Sequence, residues 1–559
     1  MTTKYILVTG GVMSGIGKGV TTASIAKLLQ FRDFNVSIMK IDPYLNIDPG
    51  TLNPVEHGEC FITEEVWTFD PLHGDPHKIM QPVKIAELDQ DFGTYERFLG
   101  QNINPSHNIT SGQIYFSVIY KERAGKFLGK TVQLIPHCTD EVINRLVDTA
   151  KQEDLDVLLI ECGGTVGDLE STMFLEAFRQ FRLLLPKKDT LLVHVTLVPY
   201  LKTVGQLKSK PTQHSVRALQ SMGLQPDVIV CRSEITLSSS VKQKISLFSN
   251  VPDKAVVSSP DLPTIYKLPL KFEEQKLGDY ICELLDVKPK LVKYDPIRNY
   301  SEWKKMVELY TSAENSITIA IPGKYMEIHD SYVSINEALS HACAHERVKL
   351  QIKWLDTEKQ AENELEGCDG ILLTPGFGSR GVEGMIQCAE YALEHKIPYL
   401  GICFGAQLFY IAFCRKILGL EKANSTEIDP NTPYPVVDFL EGQKNLLETG
   451  GSMRLGAYDI HINPSTKLFR AYQQKVIHER FRHRFHIIEK FLKNNPKAEA
   501  LQISGRDQTS QIVNAIELTD PGHWMVGTQF HAEFKSRPYA PSPLYRAFIQ
   551  AVKTAKLIK

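Results

Sequence analysis

The stretch that decides the fold is YILVTGGVMSGIGKGVTTASIAKLLQF, which covers Tyr5–Phe31. Its apolar and β-branched start predicts a buried strand over Tyr5–Thr9. A glycine-rich turn, Gly10–Gly19, follows, and helical periodicity then runs over Thr21–Phe31. A strand, a glycine turn and a helix in this order predict the first βα unit of an α/β domain that binds a nucleotide.

The glycine turn has the chemistry of a phosphate-binding loop. Its small residues let backbone N–H groups converge on phosphate oxygens, and Lys18 can reach the β and γ phosphates. The spacing differs from GxxxxGK[ST], because five residues separate Gly11 from Gly17 and Gly19 replaces the metal-ligating Ser or Thr. Carboxylates from elsewhere must then hold the metal, and the candidates are Asp91 and Glu161. The alternative is a turn that only joins strand to helix.

The same alternation of strands and helices continues along the chain and predicts parallel βαβ units. Its 559 residues exceed what one hydrophobic core supports, so at least two domains are expected. We predict a first domain with the phosphate-binding loop over residues 1–286, a linker with a short helix over 287–313, and a second domain over 314–559. Each is predicted to be a largely parallel sheet flanked by helices. The predicted strands are Tyr5–Thr9, Asn35–Lys40, Asp156–Glu161, Thr190–Val198, Pro226–Arg232, Ser316–Ile321, Val348–Leu355, Gly370–Leu373, Pro398–Cys403 and Trp524–His531.

Composition excludes several classes of function. With 63 Lys and Arg against 65 Asp and Glu, the net charge of −2 lacks the basic excess that nucleic acids or anionic membranes attract. Ten cysteines without a CxxC pair indicate a reducing compartment rather than a disulfide framework. The chain starts without a signal-peptide pattern and its apolar runs are too short to span a bilayer, so we expect a cytoplasmic protein without a membrane partner.

Two further polar turns point to anionic ligands. Glu161 ends a buried strand and is followed by the turn CGGTVGDLES, which carries Asp168 and Glu170. The segment KSKPTQ at residues 208–213 is a rigid, cationic turn, and beside a phosphate loop it favours a second anionic substrate. The alternative for each turn is an ordinary solvated loop.

The second half contains a candidate nucleophile. Cys403 follows the strand PYLGI and precedes a helix, so the helix dipole would stabilise its thiolate. Farther along, His531 can take the thiol proton and Glu533 can orient the imidazole. Together these residues favour a cysteine hydrolase or an acyl-transfer site, although a lone cysteine after a strand is usually buried and inert.

The sequence closely resembles the glutamine-hydrolysing CTP synthases over nearly its whole length. The resemblance implies an N-terminal domain related to dethiobiotin synthetase and a C-terminal class I glutamine amidotransferase domain. The motifs that carry it are YILVTGGVMSGIGKG, KIDPYLNIDPGT, EHGE, FGTYERFLG, TVQLIPH, ECGGTVGDLES, KSKPTQHSVRAL, ANSTE, GGSMRLG, RFRHRF, GICFGAQ and QFHAEF.

The family resemblance implies a reaction. ATP phosphorylates the 4-oxygen of UTP, and ammonia released from glutamine travels inside the protein and displaces the phosphate to give CTP. The implied ATP ligands are Gly15, Ile16, Gly17, Lys18, Gly19, Val20, Lys40, Asp91 and Asp261, with Asp91 and Glu161 on Mg²⁺. The implied UTP ligands are Ser14, Lys208, Ser209, Lys210, Pro211, Thr212, Gln213 and Lys244, and the implied site for CTP as feedback inhibitor is Asp168, Leu169 and Glu170.

For the glutaminase half, the resemblance implies Cys403 as nucleophile, His531 as base and then acid, and Glu533 as orienting residue. The implied glutamine ligands are Gly376, Phe404, Gly405, Ala406, Gln407, Glu427 and Arg484. It also implies a homotetramer, and GTP as an allosteric activator, which we place near Arg380; it leaves filament assembly open.

The chain departs from the family pattern at three places. Pro375 stands where the family has a glycine whose N–H donates to the oxyanion, and proline has no N–H. Residues 66–87, VWTFDPLHGDPHKIMQPVKIAE, form an insertion; its Asp70, His73, Asp75 and His77 look like a metal site, but we expect an exposed loop. Phe481 and Ala532 replace a family histidine and proline without removing a catalytic group.

Two other functions compete with this interpretation. A cobyrinic-acid-type amidase also joins a dethiobiotin-synthetase-like domain to a glutaminase-like one, but it does not need KSKPTQ with Lys244. A structural or regulatory homologue with a silent glutaminase domain is the second alternative, and Pro375 is the residue that keeps it open.

Overall fold

The computed structural model describes residues 2–53, 57–70, 83–290, 294–313, 315–323, 329–359, 361–444, 452–493, 495–507 and 512–558. The chain folds into two compact units, each built around its own sheet. The first unit is made of Met1–Pro49, Trp67–Ile85 and Asp91–Glu308, and the second of Gly50–Val66, Ala86–Gln90 and Leu309–Lys559. No helix in the described ranges is long and apolar enough to cross a membrane.

The strands of the N-terminal part are β1 (Lys4–Gly10), β2 (Val36–Asp42), β3 (Cys60–Phe69), β4 (Val83–Asp89), β5 (Asn108–Thr110), β6 (Val157–Cys162), β7 (Thr190–Leu197), β8 (Tyr200–Leu201), β9 (Gln206–Leu207), β10 (Val228–Ser233) and β11 (Val256–Pro260). Its helices are α1 (Lys18–Gln30), α2 (Asp91–Leu99), α3 (Ser111–Arg123), α4 (Thr139–Gln152), α5 (Thr172–Leu184), α6 (Lys210–Ser221), α7 (Ser239–Ser249), α8 (Leu268–Glu274), α9 (Leu277–Leu285) and α10 (Tyr300–Leu309).

The first unit is built on a seven-stranded, fully parallel sheet in the order β11-β10-β7-β1-β6-β2-β5. The central strands are buried along their whole length, as expected for a sheet covered by helices on both faces. The carboxyl ends of β1, β2 and β6 therefore meet at one edge, where open α/β sheets bind ligands. The prediction of a parallel α/β sheet is confirmed here, with strand ends shifted by at most two residues.

The first helix begins earlier than predicted. It starts at Lys18 rather than Thr21, because Gly17 takes a left-handed conformation (φ 83°) that caps the helix at that point. Lys18 and Gly19 therefore belong to the first helical turn, where backbone N–H groups have no partner within the helix.

The helix α10 packs into the first unit through one large side chain. The indole of Trp303 is fully buried, and its Nε1 donates to the carbonyl oxygen of Tyr266 at 2.8 Å. The ammonium group of Lys27, also buried, lies 4.7 Å from the indole centroid. Burial lowers the pKa of Lys27 well below its ordinary value. The helix therefore packs against the first unit through its buried face, which carries Trp303, Met306 and Val307.

The strands of the second unit's C-terminal segment are β12 (Asn315–Gly323), β13 (Val348–Asp356), β14 (Gly370–Leu373), β15 (Tyr399–Ile402), β16 (Ala423–Ser425), β17 (Tyr434–Phe439), β18 (Arg454–Ile462), β19 (Val476–His483), β20 (Phe485–Ile487), β21 (Leu501–Arg506), β22 (Val513–Leu518) and β23 (Met525–Thr528). Its helices are α11 (Val333–His345), α12 (Val382–His395), α13 (Phe404–Lys416), α14 (Lys467–Tyr472) and α15 (Pro543–Ile558).

Nine strands form the main sheet of this unit, in the order β13-β12-β14-β15-β23-β22-β21-β18-β19. Pairing is parallel from β13 to β23 and antiparallel from β23 to β19. The predicted parallel strands are present, but the antiparallel half extends the sheet beyond the prediction. The strand predicted over Trp524–His531 ends at Thr528, so His531 lies in the turn after it.

The insertion is not simply an exposed loop, which corrects the prediction for residues 66–87. Strand β3 continues through Phe69, β4 starts at Val83, and the two strands form a separate sheet. Phe69 and Ile85 are buried because the pleat turns alternate side chains away from solvent. His73, Asp75 and His77 of the suggested metal site lie outside the described residues.

Replacing Trp303 with Ala should destabilise the first unit by about 3–5 kcal/mol, because it leaves a cavity and removes the aromatic neighbour of a buried ammonium group. Differential scanning calorimetry of the full chain measures this as a lower Tm. Tyr294→Ala removes an aromatic ring that is 74% exposed and is the matched control. Equal Tm values for the two variants would contradict the packing role of Trp303.

Candidate active sites

In the first unit, the glycine turn lies close to two residues of other elements. The Nζ of Lys18 donates to the carbonyl oxygen of Gly164 at 2.5 Å, in the turn after β6. Gly19 faces Asp91 so closely that any side chain there would collide with the carboxylate. A side chain at position 19 would therefore have to displace the carboxylate of Asp91.

Two acidic residues and two lysines come together next to this turn. Asp91, the first residue of α2, forms an ion pair with Lys40 of β2. The carboxylate of Glu161, buried at the end of β6, accepts a hydrogen bond from the Tyr95 hydroxyl. Burial, reinforced by Asp91 and opposed by Lys40 and Lys18, raises the pKa of Glu161 to about 7. Two carboxylates beside the lysines that are predicted to bind phosphate fit Mg²⁺, which takes few protein ligands besides phosphate oxygens and water.

A buried histidine, which sequence reasoning missed, joins the glycine turn to the KSKPTQ segment. His194 of β7 makes hydrogen bonds to the Thr9 hydroxyl at 3.0 Å and to the Ser215 hydroxyl at 2.7 Å. Ser215 lies on α6, which begins at Lys210. Burial, with Lys18 as a further cause, lowers the pKa of His194 to about 3, so the ring is neutral. A histidine within a strand rich in apolar residues was the only sequence signal.

Beside the glycine turn lies a small cavity of about 180 Å³. Gly15, Gly17 and Val20 line one side, and Pro260 and Ile265 line another. The neighbouring Asp261 is exposed and pairs with Arg232 at 2.5 Å. Ile16 is buried. The cavity lies where the predicted ATP ligands Gly15–Val20 and Asp261 approach one another.

The predicted UTP and CTP residues are only partly brought together. Ser209 is buried and accepts a hydrogen bond from Gln213, and the Thr212 hydroxyl donates to the carbonyl oxygen of Leu197, so the α6 start is fixed. The exposed or half-buried members are Ser14, Lys208, Lys210, Pro211, Asp168, Leu169, Glu170 and Lys244. Among the described residues, no hydrogen bond or ion pair joins Lys244 on α7 to the other predicted ligands.

In the second unit, Cys403 lies on a strained turn between β15 and α13. Its φ of 52° and ψ of −101° are unusual for a residue with a side chain, and such backbone strain concentrates at functional sites. The backbone N–H of Cys403 donates to the carbonyl oxygen of Thr528 at 2.7 Å, as the parallel register of β15 and β23 requires. The thiol lies 3.5 Å from the Arg482 carbonyl oxygen.

His531 and Glu533 form a buried pair near the thiol. The Nδ1 of His531 is 2.7 Å from Oε1 of Glu533, and both residues are at most 3% exposed. Nε2 of His531 is buried and has no hydrogen-bond partner among the described residues. Burial alone would lower the pKa of His531, but Glu533 and Cys403 raise it to about 10. The ring therefore favours the imidazolium form that a neighbouring thiolate stabilises.

A cavity of about 470 Å³ opens on Cys403 and is large enough for an amino acid. Its lining includes Pro375, Gly376, Glu427, Arg484 and His531. Oε1 of Glu427 accepts from the Gly378 N–H at 2.7 Å, and Nη2 of Arg484 donates to the Ser452 hydroxyl at 2.9 Å. A carboxylate and a guanidinium in one cavity are complementary to the α-ammonium and α-carboxylate groups of glutamine.

Four predicted glutamine ligands, all in the first turn of α13, are absent from the lining of this cavity: Phe404, Gly405, Ala406 and Gln407. Phe404 and Gln407 line a small adjoining cavity instead. Gly405 packs so tightly against Leu373 that a side chain would collide with its carbonyl oxygen, which gives this glycine a packing role.

The glutaminase cavity also contains residues from the N-terminal segment of the second unit, which sequence reasoning missed. Gly50 and Cys60 line it, and Glu87 lies beneath them with 1% exposure. Glu87 accepts a hydrogen bond from Nε of Arg482 at 2.8 Å. Burial opposes the charge on Arg482, but Cys60 and Glu87 raise its pKa. The motif EHGE directly precedes Cys60 and was the sequence signal for this part of the cavity, but no short-range pattern predicts its contact with the Cys403 region.

Known proteins match both halves of the chain. The family described as CTP synthase N-terminus matches residues 4–287, and the family described as glutamine amidotransferase class-I matches residues 327–551. A CTP synthase of Caldanaerobacter subterraneus is 45% identical over 560 residues, and one of Thermococcus kodakarensis is 46% identical; each alignment covers 99% of both chains. The glutaminase domain of Trypanosoma brucei CTPS, a solved structure, is 32% identical with a TM-score of 0.40 and covers 43% of this chain and 94% of that one.

The matched residues include the two units' functional centres: the first family match contains the glycine turn with Asp91 and Glu161, and the second contains Cys403, His531 and Glu533. Because each alignment covers 99% of both chains, it includes the residues of both sites. By its sequence over nearly its whole length, the chain belongs to the CTP synthase family.

Proposed function

We propose that this chain makes CTP from UTP, ATP and glutamine, as a C–N ligase with glutamine as amido donor. The observation that carries the proposal is that one chain holds both a phosphate site with two carboxylates and a cysteine site with a glutamine-sized cavity. The first site activates the acceptor and the second releases the nucleophile, so glutamine-dependent CTP formation needs both.

In the first unit, the proposed step transfers the γ-phosphoryl group of ATP to the 4-oxygen of UTP. The ammonium groups of Lys18 and Lys40 neutralise the phosphate charge, and Asp91 and Glu161 hold Mg²⁺, which supplies further charge neutralisation when bound. Ammonia then adds at carbon 4, the C–O bond breaks, and phosphate leaves. Asp261 takes the adenosine, while Ser14, Lys244 and residues 208–213 take UTP.

In the second unit, the sulfur of Cys403 attacks the side-chain carbonyl carbon of glutamine. A C–S bond forms, the C–N bond breaks, and His531 gives its proton to the leaving ammonia. His531 then takes a proton from water, which attacks the thioester and releases glutamate. Glu533 holds Nδ1 of the ring throughout. Ammonia stays inside the protein, because in water near pH 7 protonation removes its nucleophilic lone pair.

The oxyanion of this step needs N–H donors. The Phe404 N–H belongs to the first residue of α13, at the positive end of the helix dipole. Pro375 lines the same cavity but brings no N–H. We propose that Phe404 is the principal donor in this chain and that the Pro375 loop makes glutamine hydrolysis slower than a glycine there would.

Regulation, assembly and location follow the family. We propose CTP as feedback inhibitor at Asp168, Leu169 and Glu170, GTP as activator near Arg380, a homotetramer that forms filaments, and a cytoplasmic location. The exposed turn around Leu169, which is 84% exposed, supports a ligand contact there. Exposed apolar side chains on and between helices support assembly: Ile119, Leu128, Leu134, Leu183 and Leu184. We also propose that residues 1–286 form the synthase domain, residues 287–313 the linker and residues 314–559 the glutamine amidotransferase domain.

The direct test is CTP formation from UTP and ATP with glutamine or with an ammonium salt as nitrogen donor. We expect activity with both donors. Cys403→Ala should abolish glutamine-dependent synthesis and keep ammonia-dependent synthesis, since only the first needs the thiol. Cys414→Ala, in the helix α13 that follows Cys403 and also buried, is the control and should keep both.

If the unchanged protein makes CTP with ammonia but not with glutamine, the proposed synthase reaction is supported and the glutaminase is inactive. If neither donor gives CTP, the ligase proposal is wrong, and the nucleotide-binding structural homologue or the amidase is the better explanation.

Asp91→Asn should reduce ammonia-dependent CTP formation by at least about a hundredfold and raise the Mg²⁺ concentration needed for half-maximal rate, because one metal-binding charge is lost. Glutamine hydrolysis, measured as glutamate release, reports on the other unit and shows that the variant is folded. Asp148→Asn, exposed on α4, is the matched control. An unchanged Mg²⁺ requirement would exclude Asp91 as a ligand.

Pro375→Gly should raise kcat for glutamine hydrolysis, because it supplies an N–H donor whose loss elsewhere costs about 10²- to 10³-fold. Ammonia-dependent synthesis should not change, since that reaction bypasses the oxyanion. A kcat equal to that of the unchanged protein would mean that the peptide at position 375 does not face the oxyanion.

A further inference from the structure

Gln529 contacts the proposed nucleophile from the strand next to it. It directly follows β23, whose Thr528 pairs with Ile402, so the parallel register brings Gln529 beside Cys403. Its Nε2 donates to the sulfur of Cys403 at 3.3 Å, and the residue is 1% exposed. Because this amide is buried, its hydrogen bond to the sulfur replaces the hydrogen bonds that it would make to water.

The orientation of this amide is fixed by a second glutamine. Nε2 of Gln407 donates both to the carbonyl oxygen of Phe485 at 3.1 Å and to Oε1 of Gln529 at 3.1 Å. A backbone carbonyl only accepts, so the NH₂ group of Gln407 must face it. The oxygen of Gln529 must then face Gln407, which leaves the NH₂ group of Gln529 directed at the sulfur. The Phe485 carbonyl thus sets the direction of the whole chain of hydrogen bonds.

The contact favours one ionisation state of Cys403. A thiol can donate its S–H to the Arg482 carbonyl at 3.5 Å, and that bond is lost in the thiolate. An N–H donor such as Gln529 binds a thiolate more strongly than a thiol, because hydrogen bonds to charged acceptors are stronger. With the imidazolium of His531 nearby, Gln529 supplies a second, neutral stabiliser of the attacking sulfur.

We propose that Gln529 is a further catalytic residue of the glutaminase, which holds the Cys403 thiolate by hydrogen bonding. Gln407 is the positioning residue that keeps the amide of Gln529 turned toward the sulfur. This assignment gives Gln407 a role different from direct glutamine binding. It rests on the proposed glutaminase function, since it assumes that Cys403 attacks glutamine.

Two variants of similar size test the proposal. Gln529→Met removes the donor and should lower kcat for glutamine hydrolysis by about ten- to hundredfold, with KM for glutamine within about twofold, because the substrate is not contacted. Gln529→Glu keeps an acceptor for Gln407 but places a second oxygen against the sulfur, and it should lower kcat further. Gln502→Met, half-buried in the same unit, is the control and should match the unchanged protein.

Two readouts separate this role from a structural one. The thiolate absorbance near 240 nm, measured against Cys403→Ser, and the rate of Cys403 alkylation by iodoacetamide should both fall in Gln529→Met. Gln407→Met with Gln529→Met should be no slower than Gln529→Met alone, because the two glutamines act in series. Ammonia-dependent synthesis, which uses the other unit, reports that each variant is folded.

The outcomes distinguish this proposal from the proposed function. If Cys403→Ala abolishes glutamine hydrolysis while Gln529→Met and Gln529→Glu keep the kcat and thiolate absorbance of the unchanged protein, the role of Gln529 is wrong and the glutaminase stands. A rise in KM with unchanged kcat would instead make Gln529 a substrate-binding residue. If the unchanged protein does not hydrolyse glutamine but the thiolate absorbance still depends on Gln529, the proposed function fails and the contact to sulfur stands.

Discussion

Parallel strand pairing is the constraint on which both sites depend. Because parallel strands end at the same edge of a sheet, residues far apart in sequence meet there without any local signal. In the first unit this edge joins the glycine turn after β1 to Lys40 on β2 and Glu161 on β6. In the second unit the pairing of β15 with β23 brings Cys403 beside Thr528 and close to His531. A slip of one residue in either register would turn these side chains to the opposite face.

Burial then sets the chemistry of the side chains that meet at these edges. Removal from water favours the neutral form of Glu161 and raises its pKa to about 7, and the neighbouring lysines only partly offset this. At His531 the balance is reversed, because the carboxylate of Glu533 at 2.7 Å outweighs burial and raises the pKa to about 10. Burial therefore decides the direction of the pKa shift at Glu161, whereas neighbouring charge decides it at His531.

Short-range sequence patterns were sufficient to predict much of the fold and part of each site. The strand before Gly10, the turn before α1 and the cysteine between β15 and α13 are short-range features, and the structure contains each of them. The two-stranded sheet of β3 and β4 was missed because apolar and polar residues do not alternate strictly in either strand. The antiparallel strands β18, β19, β21 and β22 were missed for a related reason, since their pairing is set by distant partners.

Contacts between distant residues account for what sequence reasoning left out of the sites. His194 with Ser215, Glu87 with Arg482, and Gln407 with Gln529 are each joined across a long sequence separation. None has a spacing that predicts the contact, because folding alone brings the two elements together. The roles of Cys403, His531 and Glu533 were available from the sequence only as a pattern of residue types, and the geometry adds the strained turn and the buried pair.

The central claim is that one chain releases ammonia at Cys403 and uses it at carbon 4 of UTP without losing it to solvent. Glutamine labelled with ¹⁵N in its side-chain amide, supplied with UTP, ATP and an equal concentration of unlabelled ammonium chloride, tests it most directly. Mass spectrometry of the product measures the label at the 4-amino group of CTP. The account predicts CTP labelled well above the ¹⁵N fraction of the free ammonia. A label equal to that of the free pool, or no label at all, would contradict it.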